Sequence, residues 1–457
     1  MENITEITAF QIDDTSIVSY FIDLTQILAE YSWIYDVRNT EIFIHNVLEN
    51  IPLSWCEVLT ILSDEDLCQL PFDFILNDWP PSLVSFVNQC HRLANFRFPS
   101  KTVQDININL RKSNYMPLKV ASKKQFEIEI MADLIGKICQ DHNCHLVLDI
   151  GSGLGYLDQL LHHRFNLRCI GIDSSLKYTN AANDRIKDDS CINSMYHTTF
   201  EVTHSEKCIE ELKSILNKKT NWKCNCDCDS ADKLSSDSLV MVGLHSCGNL
   251  TQVMMKLFCE MDEVEAFVCV GCCYNKIKLD DFPMSSVAQC TVSDIRISYP
   301  EWHPCVSGLR LAAHGTRSHS AKSLVDSHNL KSIFYRALME YYTQKENITW
   351  NQPKRHIRSS DLCNFETYCK KMLQKHHFYK DETTMKNLNN LHKQKVYLLP
   401  RIRVLLVLQM MLQPLWESFV VVDRMLYFKE KSMSVKVLAL WDDAKSSRNL
   451  ALCVNKR

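Results

Sequence analysis

The 457-residue chain has no apolar run of 18 or more residues, so no membrane-spanning helix is expected. Its opening stretch, MENITEITAFQIDD, has neither a basic cluster nor a following apolar segment, so no signal peptide is expected. The 21 cysteines follow no regular framework and scatter through predicted strands and helices. Free thiols in a reducing compartment are therefore expected, which makes the chain intracellular, cytoplasmic or nuclear. The dinucleotide fingerprint G-x-G-x-x-G is also missing. Counted from Gly151 it needs a glycine at 156, where Tyr156 stands, and this speaks against a nicotinamide site.

With 46% hydrophobic and 23% charged residues, the composition is that of a globular protein. Its length suits two or three structural units. The net charge of −3 hides an asymmetry: residues 317–457 carry +13 and residues 1–316 carry −16. A basic segment on an acidic body suits an anionic partner, and equally suits docking on its own body.

The first hundred residues read as helical. Ile17, Phe21, Leu24 and Leu28 share one face at helical spacing, and Ile44, Val47 and Leu48 begin another. Ser63 to Asp66 resembles a capping box. Trp79-Pro80-Pro81 breaks the chain before a helix predicted over 82–96, and a linker follows over 97–117. A further helix should start with Ser122 as its N-cap and Gln125 reaching back, burying Phe126, Ile130, Leu134 and Ile138.

The clearest motif is LVLDIGSGLGYLDQLLHHRF, 146–165. A buried strand ends in the turn Gly151-Ser152-Gly153-Leu154-Gly155, and a helix follows from Tyr156. That arrangement sets backbone N–H groups and bare Cα faces beside a ligand. The next strand ends in Asp173, 22 residues past Gly151, about where an acid binds ribose hydroxyls in nucleotide-binding α/β units.

A third strand is predicted over 196–202, and then a polar insertion loop over 204–236. The loop contains Cys224, Cys226 and Cys228, whose spacing is poor for zinc. Fourth and fifth strands end at His245-Ser246-Cys247 and Cys272-Cys273-Tyr274. Ligands sit outside the carboxyl ends of such strands, so His245, Cys247, Cys272, Cys273 and Tyr274 are the candidate acceptor-pocket residues. Adjacent cysteines on a strand face opposite sides, and no metal site is expected. One cysteine should pack inward while the other lines the pocket with Tyr274 and Asn275. A nucleophilic role for these thiols would be chemically reasonable, but no Pro-Cys or Thr-Cys pair accompanies them.

The spacing Asp149-x-Gly151-x-Gly153-x-Gly155 resembles motif I of the class I S-adenosylmethionine-dependent methyltransferases. With GLHSCGNLT, GCCYNKI and FPMSS, the chain resembles the methyltransferase-like protein 25 family from about Ser122 onward. The Leu-His-x-Cys-Gly and Cys-Cys elements are also similar to a tRNA 2′-O-methyltransferase family. His245-Ser246-Cys247-Gly248 stands where ribosomal RNA adenine dimethylases carry Asn/Asp-hydrophobic-Pro-aromatic. The family's Lys-Lys-x-His-Glu helix start reads Lys123-Lys124-Gln125-Phe126-Glu127 here, without the histidine.

The resemblance implies an α/β fold with a class I methyltransferase Rossmann-like sheet. The cofactor would be S-adenosyl-L-methionine, held by Asp149, Gly151, Ser152, Gly153, Gly155 and Asp173. Four segments are expected: an N-terminal helical domain (1–110), the core (111–316), a basic helical insertion (317–414), and a final helix and hairpin (415–457) that complete the sheet. Methyl transfer to RNA, protein or a small molecule is one functional reading, with His245 as the nearest general base. A cofactor-binding scaffold without transfer activity is the other.

Overall fold

The computed structural model describes residues 4–10, 14–72, 74–76, 78–94, 106–109, 120–187, 194–220, 238–314, 327–349, 359–375, 382–442 and 445–456. The linker around Pro117 and the Cys224–Cys228 run lie outside these residues. The chain divides into two compact units. One holds 1–19, 98–291 and 420–457, and the other holds 20–97 and 292–419. The N-terminal helices and the later helical insertion fall into a single unit.

Among the described residues the first unit has nine strands: β1 (Ile4–Phe10), β2 (Ile106–Asn109), β3 (Leu146–Ile150), β4 (Arg168–Asp173), β5 (Met195–Thr199), β6 (Leu239–Ser246), β7 (Val264–Gly271), β8 (Ser434–Ala439) and β9 (Leu450–Asn455). They lie in the order β2-β1-β8-β9-β7-β6-β3-β4-β5. Strands β3 to β7 run parallel to one another, and β9 is antiparallel to both β7 and β8. β7 is buried along its whole length, as a two-faced central strand must be. β1 and β2 extend the sheet beyond β8 as an antiparallel pair; β1 lies in the stretch read as helical and β2 in the stretch read as a linker.

Helix Ser122–Asp141 buries Ile128, Met131 and Ile135 among the core residues of β3, β6 and β7. Its N-cap is Ala121, with no side-chain cap. Gln125 reaches forward to Glu129 and not back to Ser122. Part of the expected polar loop is the helix Glu206–Thr220. Its neutral face supplies Cys208, Leu212 and Leu216 to the interior.

The second unit is helical. Ser63 caps the short helix Asp64–Gln69 by accepting from the Asp66 amide at 3.1 Å. Phe21 packs on Phe419 and Trp416 on Tyr35, with ring centroids 4.8 and 5.2 Å apart. Arg403 holds the Thr60 and Leu62 carbonyls and the Asp64 carboxylate. Pro400 sits in the first turn of helix Leu399–Glu430 and does not interrupt it, since proline's missing N–H is no loss there. The helical stretch Thr383–Glu430 is long and apolar enough to cross a membrane by length and composition. Its most apolar 18-residue window is, however, wholly buried inside the protein.

Candidate functional site

The strand order reverses between β3 and β6, because the chain runs outward through β4 and β5 before returning to β6. A crevice at such a switch point is where open α/β sheets take ligands. The glycine turn after β3 lies on one side of it and the end of β6, His245 and Ser246, followed by Cys247, on the other.

Gly151, Gly153 and Gly155 all have positive φ. Around a Cβ built on Gly153 there is nothing within 4 Å, whereas one on Gly155 would meet His197 Nε2 at 2.4 Å. The two glycines therefore do different work: Gly155 makes room for a buried side chain, and Gly153 bares its face to open space. His197, on β5, donates through Nε2 to Asp158 Oδ2 at 2.8 Å, with both side chains fully buried. Asp173 lies at the tip of β4. Its carboxylate accepts from the Gly153 amide at 3.1 Å and the Ser175 amide at 2.8 Å, which fixes the turn. A carboxylate has about four acceptor positions, so these two bonds leave it capacity for ribose hydroxyls.

Asp149 is buried beneath the turn. Burial, and then the charge of Asp158, push its carboxyl well above the ordinary range, with a hydrogen bond to Asp158 acting in the same direction. Asp149 Oδ1 and Ser152 Oγ are buried without a hydrogen-bond partner. Two unpaired polar atoms beside an open glycine face fit a polar ligand lying along the turn.

On the other side of the crevice, β6 is irregular between Leu244 and Ser246, and His245 takes φ 64°. Bulges of this kind re-aim side chains next to binding sites. His245 donates through Nε2 to Glu127 Oε2 at 2.8 Å, and Glu127 Oε1 accepts from Ser446 at 2.6 Å. Burial works to raise the Glu127 pKa, but these hydrogen bonds outweigh it and hold the carboxyl below its usual range. Glu127 went unremarked as a site residue in the sequence. Its signal was its place in the Lys123–Glu127 helix start, beside the buried stripe of that helix.

β7 ends at Gly271, so strand alternation stops before the cysteine pair and the opposite-face expectation does not apply. The Sγ atoms of Cys247, Cys272 and Cys273 converge: Cys247 is 3.0 Å from Cys272 and 3.4 Å from Cys273, and the adjacent pair is 3.6 Å apart. Cys247 is exposed and Cys272 is buried. The hydrogen bond with Cys272 pulls the Cys247 thiol down to about 5 despite partial burial, and the same contact pushes Cys272 up. Tyr274 is buried, with the Arg424 and Arg448 guanidinium groups 5.3 and 5.7 Å from its ring centre.

Seen from β8 inward, seven strands follow the order and directions of a class I methyltransferase domain, with the glycine turn after its first strand. Residues 123–280 match the family described as "Methyltransferase domain". The human "Probable methyltransferase-like protein 25" is 20% identical over 73% of this chain and 74% of that protein. Its mouse counterpart is 22% identical over 48% of this chain and 38% of its own length. The chain is thus similar to methyltransferase-like protein 25 over most of its length, and its residues 123–280 match a methyltransferase domain. A solved structure of M. capricolum TrmK in complex with S-adenosyl-homocysteine is 16% identical over 35% of this chain and 57% of that one. Its TM-score is 0.22, and the fold assignment rests on the strand order instead.

Proposed function

We propose that this protein binds S-adenosylmethionine along the Gly151–Gly155 turn and transfers its methyl group to an acceptor presented at the carboxyl ends of β6 and β7. The observation that carries the reading is the open face of Gly153, next to the Asp173 carboxylate, at the sheet's switch point. The bound cofactor supplies an electrophilic methyl group. Asp173 would accept from the ribose hydroxyls, a charge-assisted pair of bonds. Asp149 and Ser152 offer their unpaired oxygens to the polar part of the ligand. Such enzymes work chiefly by aligning acceptor and methyl carbon. His245 is the proton acceptor best placed for this, since Glu127 holds Nε2 as the donor and leaves the other ring nitrogen basic.

Incubation with methyl-labelled S-adenosylmethionine and fractionated cell RNA, protein and metabolites tests the proposal. RNA is the arm motivated by the +13 charge of residues 317–457. Label in one fraction, lost in His245→Ala but not in a distant surface variant, supports transfer. Calorimetric binding of S-adenosyl-homocysteine with no label in any fraction would reduce the protein to a cofactor-binding scaffold.

A further inference from the structure

The three converging cysteines lie outside the cofactor turn, and methyl transfer as proposed does not use them. We propose that Cys247, Cys272 and Cys273 form a three-thiolate site for a zinc ion, with its fourth coordination position open.

Two loops build the site. After β6 the chain turns at Gly248, at φ 56°, and a Cβ there would come within 2.8 Å of the Lys276 carbonyl oxygen. The loop carrying Cys247 is thus pressed against the loop that carries Cys272 and Cys273. Asn249 joins the two: its Oδ1 accepts from the Lys278 amide at 2.7 Å, and its Nδ2 donates to Asp281 at 3.1 Å. Cys272 is also anchored through its thiol on the His245 carbonyl at 3.2 Å. The cluster is therefore a consequence of backbone packing and not of chance side-chain proximity.

The spacing suits a small soft cation. Zinc binds thiolates at about 2.3 Å, which in a tetrahedron places sulfurs about 3.8 Å apart. The observed separations are 3.0, 3.4 and 3.6 Å, so a small opening, led by the exposed Cys247, accommodates the ion. Three sulfurs select zinc over oxygen-seeking magnesium, calcium or manganese. Among the described residues the cluster comprises these three ligands alone. His245 is committed through Nε2 to Glu127. Three protein ligands with a vacant fourth position is the pattern of zinc sites that bind water or a substrate atom. Binding would release the thiol protons to solvent.

The test is metal analysis of the full chain, purified under reducing conditions without chelator and passed through gel filtration. About one zinc per chain is expected in the parent, and much less in each of Cys247→Ser, Cys272→Ser and Cys273→Ser. Exchange with cobalt(II) should give intense sulfur-to-cobalt charge-transfer absorption that the variants lack. Cys247→Ser keeps the test sound if the other two variants fold poorly, because this side chain is exposed, and circular dichroism checks its fold. A metal-free parent without the cobalt bands would overturn the proposal. So would a metal content unchanged by Cys247→Ser, or an intact mass two daltons low showing that the thiols form a disulfide instead.

Discussion

Replacing Gly153 or Gly155 by alanine adds the same methyl group to the same turn, yet the consequences should diverge. Both residues have positive φ, 58° and 67°, so each variant bears the left-handed strain of about 1–2 kcal/mol. For Gly153→Ala that is the whole structural cost, since nothing lies within 4 Å of the new carbon. In a domain of this size it lowers the melting temperature by a few degrees, at about 2–4 °C per kcal/mol. Gly155→Ala also drives a carbon to 2.4 Å from His197 Nε2. The ring is fully buried, so relief means breaking its bond to Asp158, at a further cost of about 1.5–3 kcal/mol for a bond to a charged group. Binding should show the reverse emphasis. The Gly153 methyl group occupies the face offered to the cofactor and should weaken S-adenosyl-homocysteine at least about tenfold, some 1.4 kcal/mol. Thermal unfolding and calorimetry on both variants decide the matter. An unchanged dissociation constant in Gly153→Ala, or equal melting temperatures for the two variants, would refute the division of labour.

Asp173→Ala should weaken S-adenosyl-homocysteine by roughly 1.5–3 kcal/mol, the range for hydrogen bonds to charged groups; calorimetry showing no change would move the ribose contact elsewhere. Glu127→Gln, which disturbs the partner of His245, should lower methyl transfer more than cofactor affinity, and an equal loss in both would point to a folding role. Burial raises the Asp423 carboxyl from 3.8 to about 7, although the Met284 and Ser285 amides bond to it. The folded state thus favours the protonated acid. Its contribution to stability is complete below about pH 3.8 and is lost as pH rises through 7. Asp423→Asn should flatten that part of the stability profile in thermal melts from pH 4 to 7, and parallel curves would place the titration on another group. Asp133→Ala strands the buried Arg164 guanidinium, 2.8 Å from its carboxylate, and should cost about 3–5 kcal/mol in chemical denaturation; a loss below 1 kcal/mol would show that water reaches the site.

Much of the sheet was legible because its signals are local. The strand, glycine turn and helix around Gly151 to Gly155, the acid at Asp173 and the closing hairpin each occupy a few consecutive residues. What stayed hidden depends on residues far apart in the chain. Nothing around Ile4–Phe10 announces that its backbone will pair with β8, more than 400 positions later. Glu127 and Ser446 meet at 2.6 Å across 319 positions, so the support behind His245 has no local pattern. The cysteine cluster was misread for a different reason. The alternation rule holds only while a strand lasts, and β7 ends at Gly271, before the cysteine pair, so the two thiols need not face opposite sides.

The placement of β9 also bears on how the chain is made. β7 needs β9 on its outer edge, but about 180 residues separate Gly271 from Leu450. At about 5–20 residues per second, a ribosome takes roughly 9–36 s to cover that distance. Throughout that interval a strand built to be buried on both faces has an unpaired edge, the kind of surface that templates association between chains. The nascent protein should therefore depend on chaperone shielding until β9 emerges, and chains halted before Leu450 should accumulate as aggregates.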